Sequence, residues 1–273
     1  MTAQRVAAHR LTYERMPAPY GDPQADLDLA RGVAAGSQAS TGRMHDYLRS
    51  RTTFFDRVVV GALQGGIAQV VIGAAGYDGR AFRYAKPGVR WFELDHPSTQ
   101  RDKVARLAHL GIATSHVSFV AADFVSDPVA EMLLAAGVDS KSRSLILLEG
   151  VAVYLDPAVL ERLLQELRQI AFVGSRLAIS VSVAAPDAAA RAGFRRAVAS
   201  MGEPLRSTLE PQEAGVLLKR TGWELLSNDA TDADSRVHRE RLRSAGFLLA
   251  TAATSTDAGE TDHEQGNGWS GRR

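Results

Sequence analysis

The stretch Ala68-Gln69-Val70-Val71-Ile72-Gly73-Ala74-Ala75-Gly76-Tyr77-Asp78-Gly79 decides the fold. The run from Ala68 to Ile72 is short, rich in β-branched residues and ends directly in a glycine cluster, the pattern of a strand buried on both faces. Small residues in the cluster let the backbone approach a ligand, and the helix start that follows offers free N–H groups. Taken alone the turn is equally an ordinary structural turn, and its spacing is not the G-x-G-x-x-G of dinucleotide binders. Its surroundings have to separate the two.

Downstream, strand and helix patterns alternate. Val89 to Leu94 reads as a second strand, and Pro97 to Leu110 as a helix with proline in its first turn. Strands follow over Val117 to Ala121, Ser144 to Leu148 and Arg176 to Val183, with an amphipathic helix over Pro157 to Phe172 for which Asp156 is a candidate N-cap. Asp187 to Met201 and Gln212 to Thr221 read as helices, and Trp223 to Leu226 and Phe247 to Ala252 as closing strands. Upstream, Leu27 to Leu63 has helical spacing with a break near Gly36 to Gly42. Residues 1 to about 25 carry three prolines and little periodicity; they either wrap the domain or stay loose, and no chemistry is assigned to them. The whole predicts an α/β fold, a Rossmann-like, seven-stranded, mostly parallel sheet with helices on both faces.

Bulk properties narrow the partner. With 32 Lys and Arg against 31 Asp and Glu in 273 residues, no field of one sign is available to hold nucleic acid or an anionic membrane. The expected partner is a small molecule. The absence of cysteine excludes thiol nucleophiles and fits a reducing compartment. Without a membrane-length apolar run or a signal-like N-terminus, the expectation is a cytoplasmic protein.

Ligands of parallel sheets bind beyond the carboxyl ends of the strands, so the polar residues there are the site candidates. Gly73, Ala74 and Gly76 form the first turn. Asp95, nineteen positions after Gly76, ends the second strand, where it either accepts from both hydroxyls of a ribose or is simply solvated; Glu93 is the fallback. Asp123 ends the third strand, either taking an adenine amino group while Phe124 covers the ring or capping a helix. Glu149 ends a run of four apolar residues, and its burial calls for a partner, either a ligand ammonium or a neighbouring arginine. These positions are expected to line one crevice. The histidines show no metal-ligand spacing, and no serine sits in a G-x-S-x-G elbow, so no metal site or hydrolase triad is expected.

With these residues in place, the chain resembles the leucine carboxyl methyltransferase family, including its bacterial branch of polyketide and other natural-product O-methyltransferases. The resemblance runs from about Arg43 to Ala252. It is carried by Arg51-Thr52-Thr53-Phe54-Phe55-Asp56, Ala75-Gly76-Tyr77-Asp78-Gly79-Arg80-Ala81-Phe82-Arg83, Phe92-Glu93-Leu94-Asp95-His96-Pro97 with Lys103, Glu149-Gly150-Val151-Ala152-Val153-Tyr154-Leu155, and Gly222-Trp223. It implies S-adenosylmethionine as cofactor. Arg51 would pair with the methionyl carboxylate, the Gly73 to Gly76 turn and Glu149 would face the methionyl part, Asp95 the ribose, and Asp123 with Phe124 the adenine. One departure stands out: where the family usually has glycine two residues before Gly76, this chain has Ala74.

The domain plan that follows is an N-terminal helical cap over 1–50, a methyltransferase domain over 51–253 with a lid at about 185–212, and a disordered tail over 254–273. Tyr154, five residues after Glu149, is the catalytic candidate, orienting an acceptor oxygen or else packing; Arg195, Arg196 and Arg206 lie in the lid region. The expected activity is O-methylation of a carboxylate or hydroxyl on a small-molecule acceptor, by a monomer or homodimer. The alternatives are methylation of a protein C-terminus and a cofactor-binding protein that no longer transfers methyl. A nicotinamide oxidoreductase is disfavoured by the glycine spacing.

Overall fold

The computed structural model describes residues 2–34, 39, 41–181, 206–207, 209, 211–226 and 246–253. Helices α1 (Thr2–Arg10), α2 (Pro23–Ala34) and α3 (Gly42–Gln64) precede the first strand. Then come β1 (Gln69–Gly73), α4 (Arg80–Arg83), β2 (Arg90–Asp95), α5 (Pro97–His109), β3 (Val117–Ala121), α6 (Val129–Ala135) and β4 (Ser144–Leu148). A 3-10 turn over Ala152–Tyr154, α7 (Pro157–Ile170), β5 (Arg176–Ser180), α8 (Pro211–Arg220), β6 (Trp223–Leu225) and β7 (Phe247–Ala252) complete the described chain.

The strands form one seven-stranded sheet in the order β3-β2-β1-β4-β5-β7-β6. β1 to β5 run parallel, and β7 enters antiparallel between β5 and β6. The chain leaves β1 toward β2 and β3, then returns to the other side of β1 for β4. That reversal opens a crevice at the carboxyl ends of β1 and β4.

Alternation along each strand assigns the two faces. Val71, Ile146 and Leu148 point to one side, where Leu160, Leu163, Leu164 and Leu167 of α7 meet them at helical spacing. Val70, Ile72, Leu145 and Leu147 point to the other, against Phe55, Val59 and Leu63 of α3. Both layers are fully buried along β1 and β4, as the apolar runs predict.

Four expectations need correction. β1 is displaced one residue and includes Gly73, because Gly73 still pairs with Leu94 and Leu148. β5 ends at Ser180, and the Val181 amide instead donates to the Gly246 carbonyl. Asp156 stands at the N-cap of α7 without capping it, its carboxylate taken by Arg206 at 3.2 Å on the exposed surface. The proline-containing N-terminus wraps the domain, the first of its two alternatives, but it also holds a helix that its sparse periodicity did not predict, α1, whose Ala7, Ala8, His9 and Arg10 are buried. α3 runs through position 51, so cap and domain share one helix. The helix expected over Asp187 to Met201, Arg195 and Arg196, the 254–273 tail and most of the expected lid lie outside the described residues. Among the described residues no helix is long and apolar enough to cross a membrane.

Candidate functional site

A cavity of about 290 Å³ opens at the carboxyl ends of β1 and β4. Its floor is the turn from Gly73 to Asp78, with Asp95 on one side and Glu149 and Gly150 on the other. Met44, Tyr47, Leu48 and Arg51 of α3 form a wall, and Ala3, Arg5, Val6 and Arg10 of α1 lie across the top. Gly73, Ala74, Gly76, Asp95, Arg51, Glu149 and Tyr154 are therefore brought together, as the strand-end reading expects.

The turn is shaped by backbone geometry. Gly76 has φ +50°, and a Cβ there would come within 3.2 Å of the Ala3 side chain, so α1 sits directly over it. Ala74 adopts φ 52°, the left-handed region, and is the one non-glycine residue to do so among the described residues. That conformation costs an alanine roughly 1–2 kcal/mol, which gives a physical reason for glycine being usual at this position.

Asp95 accepts from two backbone amides, Gly76 N–H through one oxygen and His96 N–H at 2.7 Å through the other. Burial pushes its carboxyl above the usual range, and the two amides pull against that shift. Each carboxylate oxygen retains a lone pair for a ligand donor.

At the opposite end lies an ion network. The Arg51 Nε donates to Glu149 Oε1 at 3.0 Å, and Glu149 also meets Arg80 at 2.5 Å and Arg10 at 3.3 Å. Asp78 pairs with Arg80 and Arg10; Arg80 continues to Asp56 at 2.7 Å, and Asp56 to Arg15 at 2.7 Å. Arg15 and Arg83 close the network on Asp26. Every member but Glu149 is a buried residue, and the Glu149 side chain is itself only 6% exposed. Burial alone would raise the carboxyls of Glu149 and Asp78, but Arg80 and Arg10, joined by Arg51 at Glu149 and Lys103 at Asp78, hold both below the ordinary range. Burial disfavours the Arg51 cation, and Glu149 with Tyr47 more than offsets this, leaving its pKa raised. Gly150, at φ +70°, makes room for that guanidinium: a Cβ there would lie 2.8 Å from Arg51 Nη1.

Among the described residues, five guanidiniums thus face four carboxylates in this network. The buried Nε of Arg10 has no hydrogen-bond partner among the described residues. A cluster with one positive charge in excess and an orphan donor beside a cavity is suited to a carboxylate-bearing ligand.

Two expected residues stand apart. Asp123 and Phe124 do not line the cavity: the Asp123 carboxylate accepts from the Val125 amide at 2.9 Å, and Phe124 is packed in the apolar layer on the α7 side. Arg206 is committed to its surface pair with Asp156. Its backbone and that of Ser207 instead bond the carbonyl of Val153, tethering the turn that carries Tyr154. Sequence reasoning missed α1 altogether, and with it Arg5 and Arg10. No apolar stripe marks that helix, and its cation finds its carboxylates 68 and 139 positions away.

The family model described as leucine carboxyl methyltransferase matches residues 6–168. A Mycobacterium avium protein with the provisional name S-adenosyl-L-methionine-dependent methyltransferase is 40% identical over 158 residues, 58% of this chain and 50% of that one. The chain thus matches about half the length of that relative. A similarly named Mycolicibacterium smegmatis protein is 33% identical over 256 residues, covering 85% of each chain. The crystal structure of a provisionally named methyltransferase from Thermobifida fusca superposes with a TM-score of 0.60 at 15% identity, over 92% of this chain and 94% of that one, which supports the fold alone. By the extent of the family match, the chain belongs to the leucine carboxyl methyltransferase family.

Proposed function

We propose that this chain is an S-adenosylmethionine-dependent O-methyltransferase whose acceptor is a carboxylate on a small molecule. The observation that supports it best is the single cavity in which the Gly76 turn, Asp95, Arg51 and Glu149 meet. In this reading Asp95 accepts from the ribose hydroxyls. Glu149 faces the methionyl ammonium, and Arg51, with Arg10 beside it, faces the methionyl carboxylate. Both residues already carry an ion pair, so a zwitterion entering between them exchanges one set of charged contacts for another. Asp123 and Phe124 lie beyond the β3 end, where the adenine would extend. Bound S-adenosylmethionine supplies a methyl group activated by the sulfonium.

The protein's own part is positioning and exclusion of water. Val6, Met44, Leu48 and Val153 give the cavity an apolar side, and Tyr154, which also lines it, would orient the acceptor oxygen. No histidine or lysine is among the described lining residues, and the acids are committed to arginines or backbone amides. A carboxylate acceptor is ionised at neutral pH and needs no base, whereas a phenol or alcohol does. This favours the carboxylate.

Incubation of the protein with methyl-labelled S-adenosylmethionine and paired carboxylic and phenolic acceptors tests the reading. The expected result is S-adenosylhomocysteine formation with a carboxylic acid, at a rate flat from about pH 6 to 9, above the ordinary carboxylate range. A rate that rises with pH on phenols alone overturns the acceptor class. Turnover on a peptide C-terminus but on no small acid points to a protein substrate.

A further inference from the structure

We infer that Lys103, acting with Glu93, is a positioning residue for the cofactor turn: its ammonium pins the Asp78 carbonyl and thereby fixes the Ala75 to Asp78 backbone against Asp95. The inference rests on reading the cavity as the S-adenosylmethionine site.

Lys103 is 1% exposed, and its Nζ donates to the Asp78 carbonyl at 2.7 Å and to Glu93 Oε2 at 2.5 Å. The Phe82 ring lies 6.0 Å from the same nitrogen. Glu93 is equally buried, its other oxygen has no hydrogen-bond partner among the described residues, and burial pushes its carboxyl up to about 7 against the pull of Lys103. Gln100, one turn earlier on the same buried face of α5, donates to the Glu93 carbonyl at 2.9 Å. α5 is therefore fastened to β2 two residues before Asp95.

A buried Lys–Glu pair is a poor investment for stability, since desolvation consumes most of its attraction. Its geometric consequence is specific. The Asp78 amide donates to the Ala75 carbonyl, and the Ala75 amide to Leu94. With Lys103 holding the Asp78 carbonyl, the turn is tied at both ends, and Gly76 N–H is left pointing at Asp95. Lys103 itself touches neither cavity nor ligand; it acts through the turn.

Two variants separate this role from general support. Lys103→Met leaves Glu93 buried without its counter-ion and is expected to destabilise the fold. Glu93→Leu with Lys103→Met removes both charges at similar volume, so no charge is left stranded and the remaining loss is the hydrogen bond to the Asp78 carbonyl. In the double variant the expected result is a melting temperature above that of Lys103→Met alone, about tenfold weaker S-adenosylhomocysteine binding by calorimetry, and faster amide exchange at Gly76 while Val71 stays protected. Wild-type affinity and wild-type exchange at Gly76 in the double variant overturn the inference. Asp95→Ala, measured alongside, reports on the cavity separately: if wild type binds and Asp95→Ala does not, the cofactor reading stands whatever the pair does. Failure of wild type to bind overturns both.

Discussion

The two faces of the sheet are held by opposite means. On the α7 side, Leu160, Leu163, Leu164 and Leu167 pack on Ile146 and Leu148 in an apolar layer. On the side of α1 to α3, the apolar layer of Phe55, Val59 and Leu63 gives way toward the cavity to a chain of buried arginines and carboxylates. The first arrangement is inexpensive and tolerant, since burial of apolar area is non-directional. The second is tolerable only because each charge has a partner in place. The difference separates what keeps the protein folded from what shapes its site.

The sharpest way to break that comparison is to remove one member of each face. Arg80 is fully buried and meets Asp56, Asp78 and Glu149. Arg80→Met is expected to lower stability by about 3–5 kcal/mol by stranding those carboxylates, read from denaturant unfolding. Leu164→Ala should cost about 2–5 kcal/mol through a cavity, and leave ligand affinity unchanged. Their pH dependence should also differ. Glu149, Asp78 and Asp56 have pKa values depressed in the folded protein, from ordinary values of 4.5 for Glu149 and 3.8 for the aspartates. Their contribution is therefore present above those values and lost as pH falls through the lower, folded ones. Arg80→Met should flatten that acid limb and Leu164→Ala should preserve it; equal acid limbs in both variants would mean the network does not stabilise the fold.

At the cavity itself, Asp95→Ala should weaken S-adenosylhomocysteine binding by about 1–3 kcal/mol, the value of a lost charge-assisted pair of hydrogen bonds. Unchanged affinity by calorimetry would remove Asp95 from the site. The smallest effect is at Ala74. Relief of its left-handed backbone is partly cancelled by the greater freedom of glycine in the unfolded chain, so Ala74→Gly should raise stability by about 1 kcal/mol or less. A lower melting temperature in that variant would show that the methyl group makes a packing contact worth more than the strain.

Legibility in the sequence followed the same division. The strands and α7 were readable because a buried strand needs a short apolar run and a packed helix needs a stripe, both local patterns. Asp95 and Glu149 were readable as site candidates because a carboxylate at a buried strand end is costly without a partner. The partners were not readable: whether Glu149 meets a ligand or an arginine depends on Arg10, Arg51 and Arg80, which lie 139, 98 and 69 positions before it. α1 escaped notice because ion pairs hold it down more than a stripe does. Asp123 shows the converse limit, a strand-end acid whose carboxylate is spent on its own turn.

The central claim is that separate strand-end loops converge to hold one adenosyl sulfonium, with Arg51 on its carboxylate. Titration of S-adenosylhomocysteine into wild type and Arg51→Lys by calorimetry tests it most directly. The account expects one molecule bound per chain in wild type and markedly weaker binding in the variant, because lysine keeps the charge but loses the planar fork. No binding to wild type, or equal binding to both, would contradict it.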